Sequence, residues 1–416
     1  MTGTSLDGLD VALVEIAGTG LEMSAVYRGM VSRPLGALAD TLRHFAEGGS
    51  APPIDYMRAA RALGQLHADA VSELCERVLR KQLATTAARP ATLDFVVAHG
   101  QTIWHAPPVK PGKQESTKAG NKEDEPRVLW AGGGDVATSL ANAPCEAAGG
   151  LSWQLFDPWP LVRRLGVPVC YDLRQADLIA GGQGAPITPL ADWIIYNPAL
   201  APRPRAIGSL GGICKVPPLR DRAEDTTGRD VGPCNILLDT VVQRLFPGTR
   251  YDEDGAIARR GNVVDMLHKA IVSDALTILK EQQSLGRENF PLSVIDGWLA
   301  TATKHESNED IVATYTAAVA DLVGVGIRRA AGTAELKQVI LAGGGARNPV
   351  LVEHITKHDM LRVPVTLSNL LYVPCEAREA MAFAVLGALS QDGVPITLEQ
   401  VTGAKGPGRA GAWVYP

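Results

Sequence analysis

Arg205-Ala-Ile-Gly-Ser-Leu-Gly-Gly-Ile-Cys-Lys-Val216 joins two apolar runs at Gly211-Gly212, the pattern of a strand, a tight turn and a returning strand. A segment of the same kind stands at the other end of the sequence. There, Met1-Thr-Gly-Thr-Ser-Leu-Asp-Gly-Leu-Asp10 leads a Gly-Thr-Ser turn into the apolar stretch from Val11 to Ile16. Gly3 and Gly8 take positive φ without steric cost, so backbone N–H groups of the turn can converge on an anion, with hydroxyl donors from Thr4 and Ser5. A carboxylate such as Asp7 beside phosphates needs a cation between them, and Mg2+ held through water meets that need. The plainer alternative is a hairpin turn rich in Gly, Ser and Asp. Two such hairpins, one in each half, would grip phosphates from opposite sides.

Between the hairpins, strand and helix signals alternate, which argues for an α/β architecture with parallel or mixed sheets. Residues 56 to 82 carry apolar positions at helical spacing, and Asp94-Phe-Val-Val-Ala98 reads as a buried strand ending at His99-Gly-Gln-Thr102. Small and polar groups at a strand's carboxyl end mark where open α/β sheets hold ligands. Residues 109 to 127 have almost nothing to bury and read as a disordered surface insertion. The stretch up to Gly150, with Gly132-Gly-Gly-Asp135 inside it, reads as loop. A proline-started helix then runs to Gly166, and the strand Val167 to Tyr171 delivers Asp172 and Arg174 to its end. Ala180-Gly-Gly-Gln-Gly-Ala-Pro186 is either a close ligand approach or a structural crossover.

In the second half, Gly228-Arg-Asp-Val-Gly-Pro-Cys-Asn235 sets Asp230 before a turn at Gly232-Pro233, with Asn235 as the cap of a helix. Asp230 is the best general-base candidate, in a turn and outside any strand interior; the alternative is that it merely caps the helix. Val339-Ile-Leu-Ala-Gly-Gly-Gly-Ala-Arg-Asn-Pro349 reads as a buried strand, three glycines, and a helix started by Asn348 and Pro349. Gly343, Gly344 and Gly345 would let an adenosine lie flat against backbone, but the spacing matches neither the dinucleotide nor the P-loop pattern. Glu376, Glu379, Ala380 and Phe383 fall on one further helix.

The 416 residues are 46% hydrophobic and carry a net charge of −5, enough apolar material for two or three cores and no basic excess for nucleic acid or an anionic membrane. No apolar run approaches the roughly 20 residues of a membrane-spanning helix, and the N-terminus lacks the basic and apolar regions of a signal peptide. Six scattered cysteines, with no C-x-x-C pair, read as reduced thiols of a soluble cytoplasmic protein.

In this order the motifs resemble the anhydro-sugar kinase family, the 1,6-anhydro-N-acetylmuramic acid kinases and related levoglucosan kinases. The resemblance runs from Gly3-Thr-Ser-Leu-Asp-Gly8 through His99-Gly-Gln-Thr102, Gln154 with Asp157-Pro158, Asp172 with Arg174 and Asp177, and Gly181-Gly-Gln-Gly-Ala-Pro186. It continues through Gly211-Gly212, Asp230 with Gly232-Pro233 and Asn235, Tyr251-Asp-Glu-Asp-Gly255, Gly286-Arg-Glu288, Gly343 to Asn348, Glu379 and Val401-Thr-Gly-Ala404. It implies the two-domain fold of the actin, hexokinase and Hsp70 group, with ATP between two ribonuclease-H-like domains. The first would span 1–195, with an insertion at 109–150 and completion by 385–416; the second would span 196–384.

The implied reaction opens the 1,6-anhydro bridge with water and phosphorylates O6 from Mg-ATP. Asp230 would activate the water. The turn of Gly3, Thr4, Ser5, Asp7 and Gly8, with Gly211 and Gly212, would hold the nucleotide phosphates, and Gly232 and Asn235 would also belong to the cofactor site. Asp7 would reach Mg2+ through water, and Gly343, Gly344, Gly345 and Asn348 would meet the adenosine. Gln101, Thr102, Arg174 and Glu379 would bind the sugar, and the protein would form a homodimer. Alternatives are a non-catalytic sugar- or nucleotide-binding relative and an ordinary sugar kinase of the same superfamily. Against the family pattern, an apolar strand is expected ahead of the Gly3 turn, and the sequence opens at the turn itself. Cys234 stands for a glycine, Ser209 and Lys215 for asparagines, and Leu285 for a threonine; the insertion is longer than the family core requires.

Overall fold

The computed structural model describes residues 1–2, 6, 8–83, 92–108, 150–196, 204–228, 230–281, 290–302 and 305–416. Gly3, Thr4, Ser5 and Asp7 of the first turn, the 109–149 insertion with Cys145, and the Leu285 to Glu288 motif lie outside the described residues.

The N-terminal part runs β1 (Gly8–Ala17), β2 (Ser24–Pro34), α1 (Leu38–Ala46), α2 (Pro53–Leu83), β3 (Val96–Val97), β4 (Gln101–Ala106), β5 (Leu151–Leu155), α3 (Trp159–Leu165), β6 (Val169–Tyr171), α4 (Gln175–Ile179) and α5 (Pro189–Ile195). There follow β7 (Arg205–Leu210), β8 (Ile213–Lys215), β9 (Pro218–Leu219), β10 (Asp230–Pro233), α6 (Asn235–Leu245), α7 (Asp265–Glu281), α8 (Leu292–Leu299) and α9 (Asn308–Ala331). The chain closes with β11 (Gln338–Ala342), α10 (Pro349–Thr356), β12 (Val365–Leu367), α11 (Arg378–Gln391), α12 (Glu399–Thr402) and β13 (Ala412–Val414). The α/β expectation is met.

The six-stranded sheet has the order β10-β8-β7-β11-β12, with β9 beside β7. Strand β8 is antiparallel to both β10 and β7, whereas β7, β11 and β12 run parallel. Five of the six residues of β7 are buried, as a central strand covered on both faces requires. Helices α6, α7, α9 and α10 supply one cover, interleaving Leu237, Val241, Ile271, Tyr315, Val319 and Leu351 into a single core with the sheet. Helix α9 is the exception to the expectation that no run would be long enough to span a membrane: its 24 residues pass that test by length and composition. Its apolar window is 83% buried within the protein, so it is a core helix. Its start is fixed by Ser307, whose Oγ accepts from the Asp310 N–H at 3.0 Å while the Asp310 carboxylate accepts from the Ser307 N–H at 3.0 Å.

The N-terminal part is built from smaller pieces. Strands β1 and β2 form a ten-residue-deep antiparallel hairpin packed on α1 and α2. Strands β13, β6 and β3 form a second sheet against α5 and α11, and β4 pairs β5. The predicted strand at 94–98 is shorter than expected, Val96–Val97, because β6 beside it spans only three residues. The predicted helix after Asp157 ends as expected, with Gly166 in the left-handed region at φ 65°. A fourth apolar cluster joins the two parts: Ile207 and Ile340 of the large sheet meet Met381 of α11 and Tyr196, with Ala12, Val14 and Tyr27 of the hairpin at its edge.

Candidate active site

Strands β7 and β11 are parallel neighbours, yet the chain leaves β7 toward β8 on one side and β11 toward β12 on the other. Their carboxyl ends therefore border a crevice, the position where open α/β sheets take ligands. Both glycine turns singled out in the sequence lie there, because Ser209 pairs with Ala342 and each strand then enters its glycines. Gly343 has φ 89° and ψ 173°, and a Cβ on it would stand 2.8 Å from the Leu210 carbonyl oxygen, so two independent constraints demand glycine. Gly212 is different: a Cβ there would meet no atom within 4 Å. That turn faces open space.

Asn235 does not cap its helix as expected. Cys234 holds the cap position and Asn235 is the first helical residue, where its N–H donates to the Gly211 carbonyl at 3.0 Å and its Nδ2 to the Leu210 carbonyl at 3.3 Å. The side chain thus ties α6 to the glycine turn. The thiol of Cys234 is buried in the core, where burial pushes its pKa up to about 12. Gly232 is buried within β10, where a Cβ would stand 3.4 Å from Leu322 of α9. Asn348 caps α10 as read from the sequence, its Oδ1 accepting from the Val350 and Leu351 N–H groups at 3.0 and 3.1 Å.

Asp230 is the first residue of a short edge strand, not of a turn, and its register opposes it to Lys215. Lys215 in turn opposes Ser209. Directly opposed residues share a face, so Asp230, Lys215 and Ser209 form a row across three strands. At the row's end Arg378, at the start of α11, donates from Nη1 to Ser209 Oγ at 2.9 Å. Arg378 is also ion-paired with Asp192 of α5, both fully buried. Burial pushes the Asp192 carboxyl up while the Arg378 guanidinium opposes that shift.

A second cluster comes from the N-terminal part. Arg174, just after β6, donates from Nε to His99 Nε2 at 3.1 Å and from Nη1 to the Gly184 carbonyl at 2.5 Å. Nδ1 of His99 donates to the Gly100 carbonyl at 2.9 Å. Burial, followed by the charges of Arg174 and Lys215, holds His99 well below the usual histidine range, so it is a neutral acceptor. Burial draws Arg174 down to about 10 against the pull of Glu379 and Asp177, which leaves it charged at neutral pH. The loop from 180 to 186 is fixed by Asp177, which accepts from the Gly184 N–H at 2.7 Å and from Thr402 Oγ1 at 2.6 Å. That favours the crossover reading for its backbone, with one carbonyl turned to Arg174. Gln154 Nε2 reaches Thr102 Oγ1 at 3.4 Å, and the buried amide oxygens of Gln101 and Gln154 have no hydrogen-bond partner among the described residues. Such acceptors suit sugar hydroxyls. Glu379 is exposed on α11, and its charge acts on Arg174 and Arg378.

The structure therefore assembles Asp230, Gly211, Gly212, Asn235 and the Gly343 loop at one sheet end, and Gln101, Thr102, Arg174 and Glu379 around a second cluster. The Lys215 charge also lowers His99 and His105, weakly beside burial and the Arg174 charge. Sequence reasoning gave no role to His99, Lys215, Arg378 or Asp192; Asp192 and Arg378 lie 186 residues apart and no local pattern connects them.

Compared with known proteins, the chain matches the family described as anhydro-N-acetylmuramic acid kinase over residues 1–121 and 139–416. The chain belongs to that family. Curated relatives with the same name include one from Synechococcus sp. (strain WH7803), 31% identical over 97% of this chain and 95% of its own. Another, from Salinibacter ruber, is 31% identical over 97% and 92%, and one from Bacillus cereus is 30% identical over 97% and 95%. A solved structure, component A of the (R)-2-hydroxyglutaryl-CoA dehydratase of Acidaminococcus fermentans, covers 92% of this chain and 99% of that one at 12% identity and a TM-score of 0.40, too distant to carry an argument. Membership makes the protein an anhydro-sugar kinase, a phosphotransferase that uses ATP on an alcohol group of a small-molecule sugar.

Proposed function

We propose that this enzyme opens the 1,6-anhydro bridge of its sugar and phosphorylates O6 in the same site, with 1,6-anhydro-N-acetylmuramate as substrate and levoglucosan as the second candidate. The observation that carries the reading is the position of Asp230: it heads β10 in the same cross-strand row as Lys215 and Ser209, beside the Gly211–Gly212 turn. The open space over Gly212 fits phosphate oxygens, and the glycines from 343 to 345 with Asn348 take the adenosine. Gln101, Thr102, Arg174 and Glu379 hold the sugar.

In the proposed reaction Asp230 takes a proton from water as the water oxygen bonds to C1. The C1–O6 bond breaks with its electron pair on O6, and O6 bonds to the γ-phosphorus as ADP leaves with the pair of the broken P–O bond. Sugar, water and ATP become sugar 6-phosphate, ADP and a proton released from Asp230. Such transfer is mainly positioning and charge neutralisation, so closure of the two sides on their ligands completes the site. Asp7, which lies outside the described residues, would hold Mg2+ through water, and the ion would supply charge neutralisation at the phosphates. The strand order of the large sheet, with its first strand central, favours the ribonuclease-H-like reading of 196–384, paired with a first domain of 1–195 and 385–416. A homodimer in the cytoplasm completes the proposal.

The test is ADP release with each sugar in H2(18)O. One labelled oxygen at C1 of the product supports bridge opening by water. Phosphorylation without label favours an ordinary sugar kinase.

A further inference from the structure

We propose that Lys215 contacts the transferring phosphoryl group, neutralising the charge that develops on O6 and on the phosphoryl oxygens. The inference rests on the reading that O6 of an anhydro sugar is the acceptor. Lys215 is flanked in its row by Asp230 on β10 and Ser209 on β7, so it leaves the sheet on the same face as the proposed base. The Gly211–Gly212 turn joins Ser209 to Lys215 in the hairpin, with Ile213 and Cys214 between Gly212 and Lys215, so the lysine stands on the strand that leaves the open turn. Beyond Ser209, Arg378 is already neutralised by Asp192. Among the described residues Lys215 makes no salt bridge, so beside the opposed Asp230 carboxylate it is the cation of the row that Asp192 does not already pair.

A cation fixed there is matched to the chemistry. When the bridge opens, O6 holds the electron pair that forms the new O6–P bond, and the old P–O pair departs on ADP. No proton is required on O6 if a positive charge stands beside it, and such preorganised charge acts where charge develops. A neutral amide at this place would offer only a dipole; lysine offers a full charge.

The experiment compares the full-length wild type with K215Q and K215R. Affinity is measured by calorimetry for Mg-ADP alone and for Mg-ADP with aluminium fluoride, a mimic of the planar phosphoryl group, alongside steady-state kinetics with both sugars. K215Q should bind Mg-ADP as the wild type does, lose about 100-fold in affinity for the fluoride complex and about 100-fold in kcat, and keep its sugar KM within a few-fold. K215R should recover part of both losses. Equal affinity of wild type and K215Q for the fluoride complex overturns the proposal, even where kcat falls, because Lys215 would then act only through Asp230. If the wild type turns over neither sugar but K215Q still loses the fluoride complex, the phosphoryl contact stands and the anhydro-sugar reading falls.

Discussion

Two glycines at the same crevice should respond oppositely to one added methyl group. Gly343→Ala forces a residue with a Cβ into φ 89°, ψ 173°, a region that essentially only glycine occupies, at about 1–3 kcal/mol. The new Cβ would also stand 2.8, 3.0 and 3.1 Å from the O, C and N of Leu210, all backbone atoms of a central strand that cannot rotate aside. Overpacking of that kind adds about 1–3 kcal/mol. The sum is a large part of the roughly 5–15 kcal/mol that holds a domain folded. Gly212→Ala meets no atom within 4 Å and needs no positive φ, so it should leave stability unchanged or raise it by about 0.4–1 kcal/mol through the unfolded chain. Its methyl group instead enters the space proposed for phosphates and should weaken ATP about tenfold, near 1.4 kcal/mol. Urea unfolding of both variants, with the slope held as a check on two-state behaviour, reads the first effect, and calorimetry with Mg-ADP reads the second. The reasoning is refuted if G343A unfolds within about 0.5 kcal/mol of wild type. It is equally refuted if G212A loses stability and keeps its nucleotide affinity.

Asp230→Asn should lower kcat by about 100- to 10,000-fold while leaving Mg-ADP affinity unchanged, measured by ADP release and calorimetry; a variant retaining full turnover removes Asp230 as base. Arg378→Met strands the Asp192 carboxylate in the interior and should cost about 3–5 kcal/mol in urea unfolding, most of it regained when Asp192→Leu is added. His67 is buried, and burial draws it down to about 3 from the ordinary 6.5 while its Nδ1 donates to the Leu63 carbonyl. The unfolded chain therefore binds the proton first, so the contribution is complete above pH 6.5 and falls as pH drops toward 3, by about 2 kcal/mol at pH 5. His67→Met should flatten the slope of stability against pH between 6.5 and 5.

Local patterns carried the elements well. The hairpin at 205–216, the proline and glycine bounds of α3 and the Asn348-Pro349 start of α10 all rest on turn and cap chemistry that acts within a few residues. Errors arose where tertiary contacts decide. Asn235 has the right chemistry for a cap, but the β8–β10 pairing brings the Leu210 carbonyl within its reach and the side chain serves the turn instead. Asp230 precedes a Gly-Pro pair and reads as turn, yet pairing with Lys215 makes it a strand end. Helix α9 is apolar enough by length and composition to cross a membrane, and only its packing shows it to be a helix of the large core. The glycine motifs were legible, but which glycine serves the backbone and which borders open space was not, since both look alike until φ and neighbours are known.

Arg378 and Glu379 show how a buried contact can aim an exposed one. Successive residues on a helix point about 100° apart, so in the first turn of α11 one side chain can face the core and the next the crevice. Arg378 is 4% exposed, locked between Asp192 of α5 and Ser209 of β7, which removes rotational freedom from the helix start. Glu379, the next residue on the helix, is exposed and near enough for its charge to act on Arg174, whose guanidinium is itself fixed by His99 and the Gly184 carbonyl. An acidic residue in the first turn is also favoured by the helix dipole. The same arginine touches Ser209, the end of the row that carries Lys215 and Asp230. One buried cation thus anchors the start of the helix that carries Glu379, proposed to bind the sugar, and the row proposed to face the phosphates, and loosening it should disturb both together.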